Sequence, residues 1–286
     1  MVEPTDGRTD VYTVDTELLG SPGLMAAYVV DAERPAVVDP GAATATGPVL
    51  DALDELDIDP ESVAYLIPTH VHLDHAGAAG SLADACPNAT VLVHERGVPY
   101  LIDPEKLDAL FESAKRAVGE VAAAYGEPDP VPPERCETLG DGDVVDLGDR
   151  SLEAIDAPGH APHQHALLGD DGTLFAGDAA GAWLGGQLFP TTPGPDFDLE
   201  DAVDTAERLR DRDPDAVLYG HFGAREDAID ALNEYAAILP EFVDAVDELR
   251  EEHGDPDDVV SNLPSRWASS PTIAGDVRGV LRYLQS

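Results

Sequence analysis

The sequence predicts an α/β protein whose C-terminal end is helical. Three features carry that expectation. Short apolar runs separated by turn residues fill the first two-thirds of the chain. Segments with apolar residues at helical spacing interrupt them. Beyond Gly223 only the helical spacing remains, at Ile229, Leu232, Tyr235 and Leu239. At 286 residues, 43% of them hydrophobic, the chain is long enough for two domains or one large unit and apolar enough to fill a core.

Taken in order, Met25–Val30 and Ala36–Val38 read as strands. Gly47-Pro48 followed by Val49, Leu50, Leu53 and Leu56 reads as an amphipathic helix. Strands at Val63–Ile67 and Val91–Val93 come next. A longer helix is expected over Pro104–Tyr125, with Asp103 as N-cap, Pro104 at the first helical position and Gly126 as the stop. Leu107, Leu110, Phe111, Ala114, Ala117, Val118 and Val121 hold its spacing. Pro128, Pro130, Pro132 and Pro133 then form an extended linker. Val144–Leu147, Leu152–Ile155, Ala166–Leu168 and Leu174–Ala176 are further strands, with Asp141-Gly142 and Asp171-Gly172 as hairpin turns. Leu199–Leu209 is a helix and Ala216–Tyr219 the last strand.

Charge removes several functions. Lys and Arg number 16 against 58 Asp and Glu, a formal charge of −42. There are 37 Asp, 21 Glu, 14 Arg and only two Lys, Lys106 and Lys115. The densest basic stretch, Arg208, Arg210 and Arg212, is interleaved with acids. Such a chain repels nucleic-acid phosphates and anionic membranes. Neither partner is expected, and a small-molecule substrate is. The acids are spread along the chain, as adaptation to a very salty cytoplasm would require, because molar salt shortens the Debye length to about 3 Å. Cys86 and Cys136 make no disulfide framework. No apolar run reaches the roughly 18 residues of a membrane span. Met1–Asp6 lacks the features of a signal peptide, so the cytoplasm is the expected compartment.

The chemistry concentrates after Val63–Ile67, in Thr69-His70-Val71-His72-Leu73-Asp74-His75-Ala76-Gly77. Three imidazoles and a carboxylate within six positions are ligands suited to zinc, iron or manganese. His70 and His72, two apart in an extended segment, point to one side and can chelate one ion. Asp74 and His75 begin a turn and can address a second. Other ends of apolar runs add His160 in Pro158-Gly159-His160, Asp178 in Gly177-Asp178 and His221 in Gly220-His221. Five His and two Asp can serve two metals about 3.5–4 Å apart with one carboxylate bridging. His94 and His253 are expected to be ordinary side chains. His163 and His165, close behind His160, are either groups that orient a ligand or strand-edge histidines.

The series HxHxDH, PGH, GD and GH, in that order, resembles the metallo-β-lactamase superfamily over about residues 10 to 225. The resemblance implies an αββα sandwich with metals at one edge between two sheets. It implies a metal-binding domain over 1–225, a helical insert at about 103–126, and a helical C-terminal extension over 226–286. By that pattern His70, His72 and His160 hold a first metal and Asp74, His75 and His221 a second. Asp178 bridges, and Asp74 also orients the attacking hydroxide. The implied cofactor is a pair of divalent ions, zinc with iron or manganese as alternatives.

Departures narrow the branch. Antibiotic-destroying lactamases resemble a pattern with Cys on the second metal and no His after the motif Asp, whereas His75 stands here. Flavodiiron proteins resemble HxExDH, and this chain has His72 in place of the Glu. The RNA-processing nucleases of the superfamily need a basic surface. What remains is similar to glyoxalase-II-like thioesterases and lactonases. Persulfide dioxygenases, which hold one iron through the equivalents of His70, His160 and Asp178, are the chief alternative. A phosphodiesterase or ribonuclease and a non-catalytic binding protein are further ones. The Pro104–Tyr125 insert is a candidate roof over the metals, and the C-terminal helices either complete the pocket or form a homodimer contact.

Overall fold

Strands form here where the alternation of side chains serves two cores. In Ala26–Val30 the side chains of Ala26, Tyr28 and Val30 enter one core and those of Ala27 and Val29 another. A strand buried on both faces therefore reads as an unbroken apolar run. The computed structural model describes residues 2–118 and 124–286.

The first sheet contains β1 (Val2–Pro4), β2 (Val11–Asp15), β3 (Ala26–Val30), β4 (Ala36–Val38), β5 (Tyr65–Ile67), β6 (Thr90–His94) and β7 (Cys136–Leu139), side by side in chain order. β1 to β4 pair antiparallel, and β4 to β7 pair parallel. Parallel neighbours need crossovers. These are supplied by α1 (Thr46–Glu55), then α2 (Leu73–Ala76) and α3 (Ala79–Ala85), then α4 (Val98–Ile102) and α5 (Pro104–Val118).

The second sheet is built from β8 (Val144–Asp146), β9 (Ser151–Asp156), β10 (His165–Gly169), β11 (Thr173–Gly177), β14 (Ala216–Tyr219) and β15 (Ala224–Arg225). Its order is β15-β14-β11-β10-β9-β8. Between β11 and β14 lie a hairpin, β12 (Ala182–Leu184) and β13 (Gln187–Phe189), and α6 (Leu199–Arg210). Helices α7 (Ala228–His253), α8 (Pro256–Asn262), α9 (Ser265–Ala268) and α10 (Ile273–Tyr283) follow.

Tyr28, Ile67, Phe175 and Leu218 pack between the sheets. Val49, Leu53, Leu66 and Leu82 cover the outer face of the first sheet. Tyr235, Phe242 and Trp267 join Leu174 and Val217 on the outer face of the second. The result is the expected αββα sandwich, with the C-terminal helices in its fourth layer. Two bonds tie the sheets together near one edge. Tyr28 donates its hydroxyl to the Tyr219 carbonyl at 2.7 Å, and the His165 N–H donates to the Thr69 carbonyl at 2.9 Å. No described helix is long and apolar enough to cross a membrane. Both cysteines are free.

Several sequence expectations are corrected. Asp171-Gly172 does join the antiparallel pair β10–β11, but Asp141-Gly142 is not a hairpin turn. It carries the chain from β7 in one sheet to β8 in the other. The region past Gly223 first makes the short strand β15. The helix that begins at Pro104 is capped by Asp103, whose Oδ1 accepts from the Glu105 N–H at 3.0 Å. It is described to Val118; residues 119–123 of the expected helix lie outside the described residues. The proline-rich stretch is extended as far as Pro132, and Pro133–Arg135 closes it with a 3-10 turn.

Candidate metal centre

Five loops meet at one edge of the sandwich, each following the C-terminal end of a strand. Asp39 follows β4, His70 and His72 follow β5, His160 follows β9, Asp178 follows β11 and His221 follows β14. Asp74 and His75 sit on α2, which His72 precedes in an extended conformation. Glycines let these loops close up. An added Cβ at Gly220 would stand 2.4 Å from the His75 ring. Gly159 has φ +116°, and a Cβ there would meet the Ala202 backbone at 2.3 Å.

The seven motif residues converge. His72 Nδ1 lies 3.0 Å from His70 Nε2 and 2.9 Å from His160 Nε2. Those three nitrogens form one group. His75, Asp74 and His221 form another, and His70, His75 and Asp178 link the two. Within each group the candidate ligand atoms lie within 4.8 Å of one another. Asp178 faces both sides. Its Oδ2 is 3.3 Å from His160 Nε2, while its Oδ1 is 3.4 Å from His75 Nε2 and 3.6 Å from His221 Nε2.

The distal ring nitrogens are fixed by outer partners, which aim the others inward. His160 Nδ1 is 3.1 Å from the Thr191 carbonyl, and His221 Nδ1 is 2.9 Å from the Leu24 carbonyl. A carbonyl only accepts, so Nδ1 carries a proton in both rings and Nε2 is the nitrogen turned toward the ligand groups. His75 Nδ1 is 3.0 Å from Asp39 Oδ2. The other oxygen of Asp39 accepts from the Thr69 N–H at 2.7 Å.

Protonation follows from burial and charge. Burial, reinforced by neighbouring imidazoles, holds His70 and His72 well below the usual histidine range. Burial also lowers His160, against the pull of Asp178. These shifts favour the uncharged rings, whose lone pairs can reach a metal. Burial would lower His75 too, but Asp39 and Asp178 outweigh it and raise it well above the usual range. Burial would raise Asp178, yet His221, His160 and His75 hold it far below the usual carboxylate range. His75 Nε2 and Asp178 Oδ1 are fully buried and have no hydrogen-bond partner among the described residues. Buried polar atoms of this kind are costly unless something satisfies them. A divalent cation between the two would do so, and the His/Asp donor set fits one.

Other histidines fall outside the two groups. His163 stacks on His70 with ring centroids 6.2 Å apart, and its Nδ1 accepts from the Val71 N–H at 3.4 Å. Burial, with His160 and His94, brings it down to about 4. His165 is buried with both ring nitrogens unpartnered among the described residues. His94 Nε2 is 3.5 Å from Asp156 Oδ1. His253 ends α7 on the surface. Of the insert, Phe111 and Lys115 cover each other, the ammonium lying 4.0 Å above the ring. The end of the insert does approach the site. Tyr125 packs with Leu18, Leu24, Met25 and Ala42, and its phenol is held protonated by Asp74, burial and Asp178.

Sequence reasoning missed two supports. Asp39 was readable, because Val38-Asp39-Pro40-Gly41 repeats the pattern of a strand end, an acid and a nearby Gly. The second is a set of contacts from the C-terminal helices. Thr191 donates its hydroxyl to the Asp178 carbonyl at 2.8 Å and lies 2.9 Å from the Tyr235 hydroxyl. Thr192 donates its N–H to Asp276 Oδ1 at 2.8 Å. The segment that orients His160 is thus held by α7 and α10.

A histidine and aspartate cluster at the strand ends of an αββα sandwich defines a class of protein, and comparison with known proteins agrees. A model of the metallo-beta-lactamase superfamily matches residues 22–221. A metallo-beta-lactamase fold-containing protein of Sulfurisphaera tokodaii is 31% identical over 204 residues, 71% of this chain and 74% of that one. The crystal structure of an archaeal superfamily protein from Sulfolobus tokodaii superposes with a TM-score of 0.73, covering 98% of this chain and 100% of that one at 22% identity. A hydroxyacylglutathione hydrolase of Aliivibrio fischeri is 31% identical over 54% of this chain and 46% of its own length. An N-acyl homoserine lactonase of Azorhizobium caulinodans is 32% identical over 58% and 60%. The chain belongs to the metallo-β-lactamase superfamily, whose members are generally metal-dependent hydrolases.

Proposed function

We propose that this chain is a binuclear metallohydrolase that cleaves a thioester, ester or lactone. One observation carries the reading: the oxygens of Asp178 face two separate nitrogen-rich groups, and its Oδ1 and His75 Nε2, 3.4 Å apart, are buried with no hydrogen-bond partner among the described residues. His70, His72 and His160 would hold one ion, and Asp74, His75 and His221 the other, with Asp178 between them. Zinc suits this donor set, and iron or manganese would fit it as well. Bound cations would supply Lewis acidity and a water ionised near neutral pH.

The chain's own residues do the rest. Asp39, Thr191 and Leu24 fix the tautomers of His75, His160 and His221. His70 and His75 are fully buried, whereas His72 and Asp74 are only half-buried, so substrate approaches past the latter two. Asp74, at that open side and 3.6 Å from His221 Nε2, is placed to orient the attacking water and accept its proton. The lactonase and thioesterase relatives support acyl chemistry. We assign residues 1–225 to the metal-binding domain and 226–286 to a helical extension that braces it. Metal-loaded protein screened against thioesters, lactones, esters and phosphodiesters tests the reading. Acyl hydrolysis abolished by His160→Ala supports it. Oxygen consumption with a persulfide and no acyl hydrolysis would replace it with the iron dioxygenase.

A further inference from the structure

His163 and His165 follow His160 closely, and among the described residues neither belongs to a metal-ligating group. His165 begins β10. His163 stands before the strand, in a turn that the Gln164 N–H closes on the Ala161 carbonyl at 3.3 Å. Arg96 braces the turn, donating to the Pro162 carbonyl at 3.3 Å. His163 is therefore not a strand-edge residue, and its ring lies against the centre. The ring centroid is 5.6 Å from that of His72, at a right angle, and 6.2 Å from that of His70, nearly parallel. A third ring, Tyr100, lies 6.1 Å away and is 38% exposed. His163 thus joins the half-buried His72, at the open side of the centre, to the surface.

The Val71 N–H donates to His163 Nδ1 at 3.4 Å. A nitrogen that accepts carries no proton, so the ring is neutral and its proton is on Nε2. That N–H has no hydrogen-bond partner among the described residues. Val71 lies between His70 and His72, so the loop that carries both of these rings also fixes the direction of the third. A neutral donor held by the backbone, at the rim of a hydrolytic centre, suits an oxygen that becomes charged during the reaction.

We infer that His163 is a further catalytic residue, whose Nε2–H donates a hydrogen bond to the acyl oxygen of the substrate as that oxygen takes on charge. The inference rests on the hydrolase reading and adds a residue to it. Water adds to the acyl carbon, and an electron pair of the C=O bond moves to the oxygen. His163 holds that oxyanion and keeps its own proton. The pair then re-forms the double bond and the bond to sulfur or oxygen breaks. The departing thiolate or alkoxide takes the proton that Asp74 accepted from the water. A single donor aimed at developing charge is worth about 100- to 1,000-fold in kcat.

Two substitutions separate this donor from the support the ring gives Val71. His163→Asn keeps an acceptor near the place of Nδ1 and has nothing at Nε2. His163→Gln keeps an N–H donor near the place of Nε2 and leaves Val71 without its acceptor. Methyl phenylphosphonate, an anionic tetrahedral mimic of the addition intermediate, is titrated calorimetrically into metal-loaded protein, and hydrolysis of phenyl thioacetate is followed in parallel. His163→Asn is expected to weaken phosphonate binding at least about tenfold and to lower kcat about 100-fold, with KM changed less than about threefold. His163→Gln should recover much of both, and both variants should keep the native metal content. The opposite order, with His163→Asn near native and His163→Gln impaired, would overturn the inference, because the ring would then only support Val71. So would loss of a metal equivalent in His163→Asn, which would make the ring a ligand, or a native protein that binds no phosphonate. If phosphonate binding depends on His163 in this way but no acyl substrate is hydrolysed, the hydrolase reading fails and the donor stands. Hydrolysis and phosphonate binding that neither variant alters sink the donor alone.

Discussion

Replacing Asp39 by Asn changes one atom of a buried carboxylate, and it is expected to reverse the tautomer of His75. Asp39 is 1% exposed, and its two oxygens serve two donors, the Thr69 N–H at 2.7 Å and His75 Nδ1 at 3.0 Å. An Asn has one acceptor. The buried Thr69 N–H keeps it, because a backbone donor left unpaired there is costly. The new NH₂ then faces His75 Nδ1, which must accept, and the ring proton moves to Nε2. That atom faces Asp178 Oδ1 at 3.4 Å and would be a ligand of the second ion. With a proton on it, it cannot be. The backbone tolerates the change, since Asp39 has φ +49°, a region that Asn also enters. A lost hydrogen bond to a charged group is worth about 1.5–3 kcal/mol. At 1.4 kcal/mol per tenfold, that corresponds to roughly a 10- to 100-fold loss in affinity for the second ion. Competition against a chromophoric chelator resolves the two binding steps. One step should weaken by this factor and the other, served by His70, His72 and His160, should change far less. Two unchanged steps would refute the tautomer argument, as would equal weakening of both in a protein that keeps its native circular dichroism.

Two further outcomes follow from charge. Burial raises the Asp276 carboxyl from its ordinary 3.8 to about 7, against the hydrogen bonds from Thr272 and Thr192. The folded chain thus keeps a proton that the unfolded chain has lost, and this contribution to stability falls as pH rises towards 7. Asp276→Asn has no such proton, so its stability relative to the native chain should improve by about 2 kcal/mol between pH 5.5 and pH 8 in urea unfolding. A difference independent of pH would refute it. The charge of −42 should make the melting temperature climb steeply from tens of millimolar to molar KCl, as the Debye length contracts. A flat profile would remove the argument for salt adaptation.

The sequence showed β4, β5, β11 and β14, four of the strands that carry the site, because they are buried along nearly their whole length. Each is a short, mainly apolar run with a polar residue within two positions of its end (Asp39, Thr69, Asp178 and His221), and both features survive without structural context. β2 was not read, since Val11-Tyr12-Thr13-Val14-Asp15 is half-exposed and mixed in polarity. The three-residue strands β12 and β13 are too short for any periodicity to register. Asp141-Gly142 misled because a turn dipeptide reports a local bend and not which sheet receives the next strand. At the site, the imidazole spacing exposed the seven converging residues, while attention to histidine hid Asp39. Asp276 could not have been found: it holds Thr192 across 84 positions, and nothing in α10 marks it. His75, His160 and His221 face inward because of partners that lie far from them in the chain.

Elemental analysis of metal-replete protein tests the two-ion centre most directly. About two equivalents of divalent metal per chain are expected, falling to about one in His221→Ala, which keeps the His70, His72 and His160 group intact. Less than about half an equivalent of every transition metal would contradict it, and so would about one equivalent of iron that His221→Ala leaves in place.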